Sequence, residues 1–498
     1  MAQRALTISA AVCVAAAVLV PVAAVLWRGG SSADFSAADW SALKFTVWQA
    51  LWSATISVVL AVPVARALAR RSFWGRSALI SVMGAPFILP VIVAVLGLLA
   101  IFGGKGLVNL ALAQLHLPAI KVYGPHGVIL AHVFFNLPLA VRLILQGWLS
   151  IPSERFRVAA SLGASVFWLL EWPMLKRIGP GAFAVIFVIC LGSFAVALTL
   201  GGGPRATTVE LAIYQAFKFD FDLSKAAYLA IVQLMLGGVA GLVALALAKG
   251  DLLGAGFDRV VHRWDGSRLV DALWVSAAAA FLLLPLGAVL VAGLPGLLDL
   301  PASIWPAALR SIAIAVAAAV LTLVLALPLA TRAGEIASLL GISVSGLVLG
   351  TGLFLLLQPI VNPQDMALPV TLWVNVLMSL PFVLRIIRPG IENAKADFGK
   401  LGQALGLRGW ALWRIVYLPR LRRPLGFAAG LTAALAMGDL GVITLFSRPG
   451  DGTLPMIMYQ LMGAYQMEAA YAAALLLVGL SLALFWVFDQ LGRADADF

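Results

Sequence analysis

Runs of apolar residues about as long as a bilayer is thick recur along the whole sequence, and they decide what the chain can fold into. They fall near 7–27, 43–65, 77–102, 126–147, 180–200 and 224–248, then near 269–294, 306–330, 337–360, 367–387, 424–446 and 467–488. About 20 apolar residues cross the hydrocarbon as a helix, and there every backbone N–H and C=O must be satisfied within the protein. The expected fold is all-α, a polytopic membrane protein of about twelve transmembrane helices. A hydrophobic content of 62% and a charged content of 11% exclude an ordinary soluble domain, in which about 25% of residues are charged. The ten-residue alternation of a transmembrane barrel is absent. Cys13 and Cys190 both lie inside apolar runs, so no disulfide framework is expected. The first run is too long for a signal-peptide core and lacks a clear cleavage site, so it reads as an anchor.

The net charge of +12 is a matter of topology. With Arg4 placed inside, threading the spans leaves only Arg28, Lys44, Lys105, Lys121, Arg205, Lys218, Lys225, Arg310 and Arg448 outside, nine of 34 basic residues. Excess Lys and Arg mark the cytoplasmic side. Both termini are therefore expected in the cytoplasm, and no nucleic-acid partner is needed to explain the charge.

The sequence is also a duplication. HVFFNLPLAVRL at 132–143 matches NVLMSLPFVLRI at 375–386, an offset of 243 that also carries Gly163 to Gly406 and Ala226-Ala227-Tyr228 to Ala469-Ala470-Tyr471. Thr208, Tyr214 and Gln215 meet Thr453, Tyr459 and Gln460 at an offset of 245, and LAVPVARA around Pro63 resembles LALPLATRA around Pro328. Six spans per half in the same orientation imply two parallel repeats about an axis along the membrane normal. The expected division is an anchor helix and outside loop over 1–42, a first repeat over 43–248 and a cytoplasmic linker over 249–268. The first helix of the second half (269–305), a second repeat (306–490) and a cytoplasmic tail (491–498) follow.

One inside stretch occurs in both halves: ERFRVAASLGASVFWLLEWP at 154–173 and DFGKLGQALGLRGWALWRIVYLP at 397–419. Each is expected to be a short helix, capped by Ser153 or Asp397 and stopped at Gly163 or Gly406 in a left-handed turn. A second, aromatic-rich helix would then end at Pro173 or Pro419. Repetition at a fixed offset argues for a docking element over an ordinary basic loop. These loops resemble the E-A-A-x3-G-x9-I-x-L-P signature of ABC importer permeases, which fits a groove in a cytoplasmic ATPase. The second keeps the glycine-to-proline spacing, with Val416 at the Ile position and Leu418-Pro419 closing it, but has Lys400-Leu401-Gly402 for Glu-Ala-Ala. In the first, Arg157 replaces Glu, Ala159 is kept and Pro173 comes three residues early. HVFFNLP at 132–138 and GGGPRATTVELAIYQ at 201–215 are more specific, being similar to stretches of thiamine importer permeases, themselves fused twelve-span chains.

The resemblance implies a type I, binding-protein-dependent permease subunit that carries thiamine and its phosphates across the bacterial inner membrane. Two copies of a cytoplasmic ATPase would dock on loops 153–177 and 396–420, and a periplasmic binding protein would deliver substrate, with lipid around the spans. The coupling residues would be Ala159, Ala160, Leu162, Gly163 and Pro173, and Gln403, Ala404, Leu405, Gly406, Leu418 and Pro419. ATP and Mg would belong to the partner subunits. This chain carries no G-x-x-x-x-G-K-[ST], no metal spacing among His116, His126, His132 and His262, and no nucleophile elbow, so it is expected to be no enzyme and to hold neither metal nor cofactor.

Polar residues within spans are candidates for the permeation path. Asp439 is the most costly, expected mid-span in the eleventh run; it could pair with a cationic ring or hydrogen-bond a neighbouring helix. Asn136, Ser193, Asn375 and Ser379 share that ambiguity. Gly237-x-x-x-Gly241 and Gly346-x-x-x-Gly350 read as helix packing, and Pro63, Pro138, Pro328 and Pro381 as kinks. The outside segment 201–223 offers Arg205 and Glu210 as binding-protein contacts, or as an ordinary solvated surface. Two other readings stand beside thiamine: the same architecture for ferric iron, sulfate or a polyamine, and an ion-coupled secondary transporter, against which the lack of paired intramembrane carboxylates argues.

Overall fold

The computed structural model describes residues 2–29, 35–84, 88–247, 260, 266–331, 334, 335, 338, 341, 344–407, 409–448 and 450–493. Most of the expected linker 249–268 and the tail from 494 lie outside the described residues, as do the side chains of residues 2–6, 403 and 410. The first half comprises α1 (Ala2–Gly29), α2 (Ala37–Arg70), α3 (Arg76–Val82), α4 (Val91–Phe102), α5 (Leu107–Gln114) and α6 (Pro125–Leu149). It continues with α7 (Ser153–Ser161), α8 (Trp172–Leu191), α9 (Ala195–Leu200), α10 (Val209–Lys218) and α11 (Leu223–Leu247). The second half comprises α12 (Arg268–Gly293), α13 (Ile304–Leu329), α14 (Gly346–Leu357), α15 (Ala367–Ala404), α16 (Leu418–Met437), α17 (Gly441–Phe446), α18 (Leu454–Gly463) and α19 (Met467–Arg493).

Among the described residues, eleven helices are long and apolar enough to cross a membrane. The expected ninth span is shorter: α14 has 12 residues, about 18 Å of helix against a hydrocarbon core of about 30 Å. Its counterpart α4 also has 12 residues. The run near 77–102 is broken before Val91, and its membrane-length helix is Val91–Gln114. Breaks in helical backbone at membrane depth are tolerated where protein surrounds them, and most of α4 is buried. Pro63, Pro138, Pro328 and Pro381 all lie inside continuous helices.

The halves build equivalent cores, α2 on α6 and α8 in the first and α13 on α15 and α16 in the second. Their leading helices then cross over. α1 packs against α14 and α13 of the second half as well as α11, and α12 packs against α4 and α2 of the first half as well as α19. Each crossing is a glycine against a proline turn. A methyl at Gly97 of α4 would collide with the backbone of Pro285 in α12, and one at Gly352 of α14 with the backbone of Pro21 in α1. Gly97 and Gly352 hold the same step of their helices, as do Pro21 and Pro285 of theirs. Small residues let helix backbones approach this closely. Gly346 and Gly350, read from sequence as packing positions, face Val442 and Leu445 of α17.

The crossings are pinned at the ends that carry the start of α1 and of α12. Asp271 at the start of α12 accepts from Arg70 Nε at 2.8 Å and Arg71 Nε at 2.6 Å, both at the end of α2. At the equivalent point of the other crossing, the Thr7 hydroxyl donates to the Pro328 carbonyl at 3.0 Å. On the opposite side the Thr46 hydroxyl of α2 accepts the first N–H of α10 at 2.9 Å, and the Ser311 hydroxyl of α13 accepts the first N–H of α18 at 2.8 Å.

Overfilling such a crossing is expected to cost about 1–3 kcal/mol. Gly97→Val and Gly352→Val should each lower the thermal midpoint in detergent by several degrees. Gly238→Val, whose added Cβ meets nothing within 4 Å, should not. Equal midpoints for all three would show the crossings to be loose.

Candidate functional site

Two features stand out on this frame, the repeated loops and a cavity on the seam between the halves. In the first loop α6 ends at Leu149 and Pro152 opens the separate helix α7. Ser153 is therefore the first helical residue and no cap; its hydroxyl donates to Glu154 Oε1 at 2.9 Å. α7 stops at Gly163, φ +64°, where the Gly163 and Ala164 N–H groups bond back to the Ala160 and Ala159 carbonyls at 3.1 and 2.9 Å. Ala159 is buried, Ala160 is exposed, and Leu162 stands 73% exposed.

The second loop is built differently. α15 runs unbroken from the membrane to Ala404, so Asp397 lies inside a helix and caps nothing. It stops at Gly406, φ +69°, with the Leu407 N–H on the Gly402 carbonyl at 2.9 Å and Leu405 66% exposed. Gly163 and Gly406 would each place a side chain in open space, since an added Cβ meets nothing within 4 Å at either. Of the expected coupling residues, Ala404 is exposed, Leu418 half-buried, and Pro173 and Pro419 exposed; the Gln403 side chain lies outside the described residues.

The expected second helix does not end at the proline. It enters a π-helical turn, Phe167–Glu171 or Trp413–Tyr417, and runs straight into α8 or α16 with Pro173 or Pro419 at the second position. Proline has no N–H and its ring clashes with the carbonyl four residues back; the wider π turn relieves that conflict. From this turn onward the loops match. The three-residue difference lies before it, as the additional helical turn Trp410–Leu412 in the second loop. The first π turn is also tied to the membrane core: Glu171, fully buried, pairs with Arg66 of α2 at 2.9 Å. Tyr417 takes the place of Glu171 in the second loop, where Arg420 instead stacks 3.6 Å above the Phe398 ring.

The cavity, about 440 Å³, brings together all five polar residues proposed from sequence for the path: Asn136 on α6, Ser193 after α8, Asn375 and Ser379 on α15, and Asp439 after α16. Ser193 and Asp439 hold equivalent positions in breaks between helices, α8 to α9 and α16 to α17. This corrects the expectation that Asp439 sits mid-helix. Unwinding frees the Gly441 N–H, which donates to Asp439 Oδ1 at 3.0 Å; Oδ2 is buried without a hydrogen-bond partner. Asn136 Nδ2 donates to the His132 carbonyl at 2.8 Å and lies 3.4 Å from Cys190 Sγ.

Glu210 moves furthest from its expected place. Read as an exposed binding-protein contact, it is 1% exposed and lines the cavity, whereas Arg205 stays exposed in the turn Pro204–Ala206. The cause is α10, whose residues Val209, Leu211, Ile213 and Tyr214 are all buried with it. Sequence reasoning also missed His132 as a cavity residue. Its signal was present, because the 243 offset maps His132 onto Asn375 just as it maps Asn136 onto Ser379, giving an i,i+4 pair on one helix face in each half. Among the described residues no lysine or arginine lines the cavity. Glu210 and Asp439 thus share one cavity, which corrects the expectation that the chain lacks paired intramembrane carboxylates, and buried acids of this kind favour a positively charged occupant. Among the described residues no group of three or more His, Cys, Asp and Glu could hold a metal ion.

No protein-family model matches the chain. It is 40% identical over 478 residues to the thiamine transport system permease protein ThiP of Salmonella typhimurium, covering 91% of this chain and 89% of that protein. It is 38% identical over 480 residues to ThiP of Escherichia coli, with the same coverage. Against ThiP of Haemophilus influenzae it is 32% identical over 462 residues, covering 88% of this chain and 86% of the relative.

The buried Glu171 makes one contact testable without any partner. Removing one member of a buried ion pair costs about 3–5 kcal/mol, less here because Arg66 is 29% exposed. Glu171→Gln should lower the thermal midpoint measurably, and Glu154→Gln, on an exposed residue, should leave it unchanged.

Proposed function

The chain belongs to the family of thiamine transport system permeases, and from that premise we propose that it is the multi-pass membrane subunit through which an ATP-driven importer moves thiamine into the cell. It would reside in the bacterial inner membrane with both termini cytoplasmic, as the distribution of Lys and Arg favours. A periplasmic binding protein would deliver the cargo to the face carrying Arg205. Two ATPase subunits, which would hold ATP and Mg, would each grip one loop, through Leu162 and Gly163 on one side and Leu405 and Gly406 on the other. This chain supplies no hydrolytic chemistry in this reading. ATP binding would draw the loops together, and the helices that run directly out of them, α8 and α16, would carry the motion to Ser193 and Asp439 at their far ends.

The observation that carries the reading is the cavity on the seam between the halves. It is walled by residues from both, lies within the usual range of about 300–1,000 Å³ for small-molecule sites, and holds two acids with no lysine or arginine among its described lining residues. That charge suits a cationic cargo and disfavours a sulfate ion.

Proteoliposomes holding the chain with its ATPase and binding protein should take up labelled thiamine only with ATP, and excess unlabelled thiamine should compete where sulfate and ferric citrate do not. Gly406→Arg should reduce uptake about tenfold or more. The left-handed turn itself costs a non-glycine residue only about 1–2 kcal/mol, so the variant should remain folded in the membrane. Wild-type uptake by Gly406→Arg would remove the docking assignment, and ATP-independent uptake would replace the importer with a secondary transporter.

A further inference from the structure

The two cavity acids break the symmetry of the duplication. The position equivalent to Asp439 in the first half is Ser193, and that equivalent to Glu210 in the second half is Pro455. Each half thus contributes one acid, from non-equivalent places. Neither faces a lysine or arginine among the described lining residues; Asp439 Oδ2 and both Glu210 oxygens are buried and make no hydrogen bond of good geometry, with Asn375 beside Asp439 and Ser345 and Gln233 beside Glu210. Gln233, which lies beside Glu210, also gives an amide N–H to the Leu191 carbonyl at 3.0 Å. Of the other polar lining residues, His132 (3% exposed) leaves Nε2 buried without a partner, and Asn375 (8% exposed) lies beside Asp439. Orphaned polar groups of this kind in a folded interior mark a missing partner.

The remaining wall identifies the kind of partner. Phe135, Phe194 and Phe382 line the same cavity, and aromatic faces attract cations, most strongly where water is excluded. Two carboxylates with aromatic rings suit a delocalised organic cation better than a bare metal ion, for which the described residues bring together no group of three or more His, Cys, Asp and Glu. We propose that Glu210 and Asp439, one from each half, form a transit subsite that holds the cationic ring of the cargo. His132 and Asn375, themselves equivalent across the two halves, hydrogen-bond its polar end. The subsite faces both halves, so relative motion of the halves would separate the two acids and release the ion. This inference rests on the cavity being the transport route.

The test uses the complete importer in proteoliposomes, reading labelled thiamine uptake beside binding-protein-stimulated ATP hydrolysis. Glu210→Gln and Asp439→Asn should each reduce uptake about tenfold while ATP hydrolysis stays within twofold of wild type. The charge-keeping variants Glu210→Asp and Asp439→Glu should hold uptake within about threefold of wild type. Wild-type uptake by both neutral variants would overturn the subsite, and so would charge-keeping variants as defective as the neutral ones. A wild-type importer that carries no thiamine would instead overturn the transport reading itself.

Discussion

The two glycine-on-proline crossings are the contacts on which the rest of the structure depends. Between helices in lipid, apolar burial gives little net attraction, because lipid tails are as apolar as leucine; close packing has to hold the bundle together. Gly97 against Pro285 and Gly352 against Pro21 supply that packing, and they do so between halves. Because α1 lies on α14 and α12 on α4, neither half can be lifted from the other without stripping its own leading helix. The cavity is the space this interlock leaves at the seam. Its walls come from α6, α15 and the unwound steps after α8 and α16, with the crossings packed outside them.

Within a symmetric frame the chain is asymmetric at the two places proposed to meet other molecules. The loops share the exposed leucine, the left-handed glycine and the π turn, yet one carries an additional helical turn before the π turn and the other is anchored by Arg66 and Glu171. The difference leaves the helices that follow in register, since Pro173 and Pro419 both take the second position of α8 and α16. A force applied to either loop therefore enters its helix in the same way. At the other end of those helices Ser193 and Asp439 differ, so the cavity is chemically lopsided where the frame is even.

Much of this was legible in the sequence, and the parts that were not share a physical cause. Long spans and their duplication could be read because bilayer thickness imposes a length that composition reveals. The left-handed glycines could be read because few other residues enter that conformation cheaply. The shortness of α14 was hidden, since the apolar run around it continues beyond the helix and periodicity does not show where a helix stops. The π turns were hidden because they depend on a proline one step ahead. Glu210 was misplaced because a charged residue in a polar stretch is exposed by default, and only the packing of α10 shows it turned inward. Asp439 was singled out by the cost of an acid within a span, but its place in the break between α16 and α17, where the Gly441 N–H meets it, was hidden because the apolar run continues through the break.

The central claim is that the seam cavity is the route and that it opens to one side at a time. The most direct measurement is the labelling of single cysteines placed in the cavity, Ser379→Cys and Asn136→Cys, with Cys13 and Cys190 replaced by serine. A membrane-impermeant thiol reagent should reach both positions from the periplasmic side in the ATP-bound complex and from the cytoplasmic side after hydrolysis, and thiamine should slow both reactions. Labelling that ignores nucleotide and thiamine, or that fails from either side, would contradict the account.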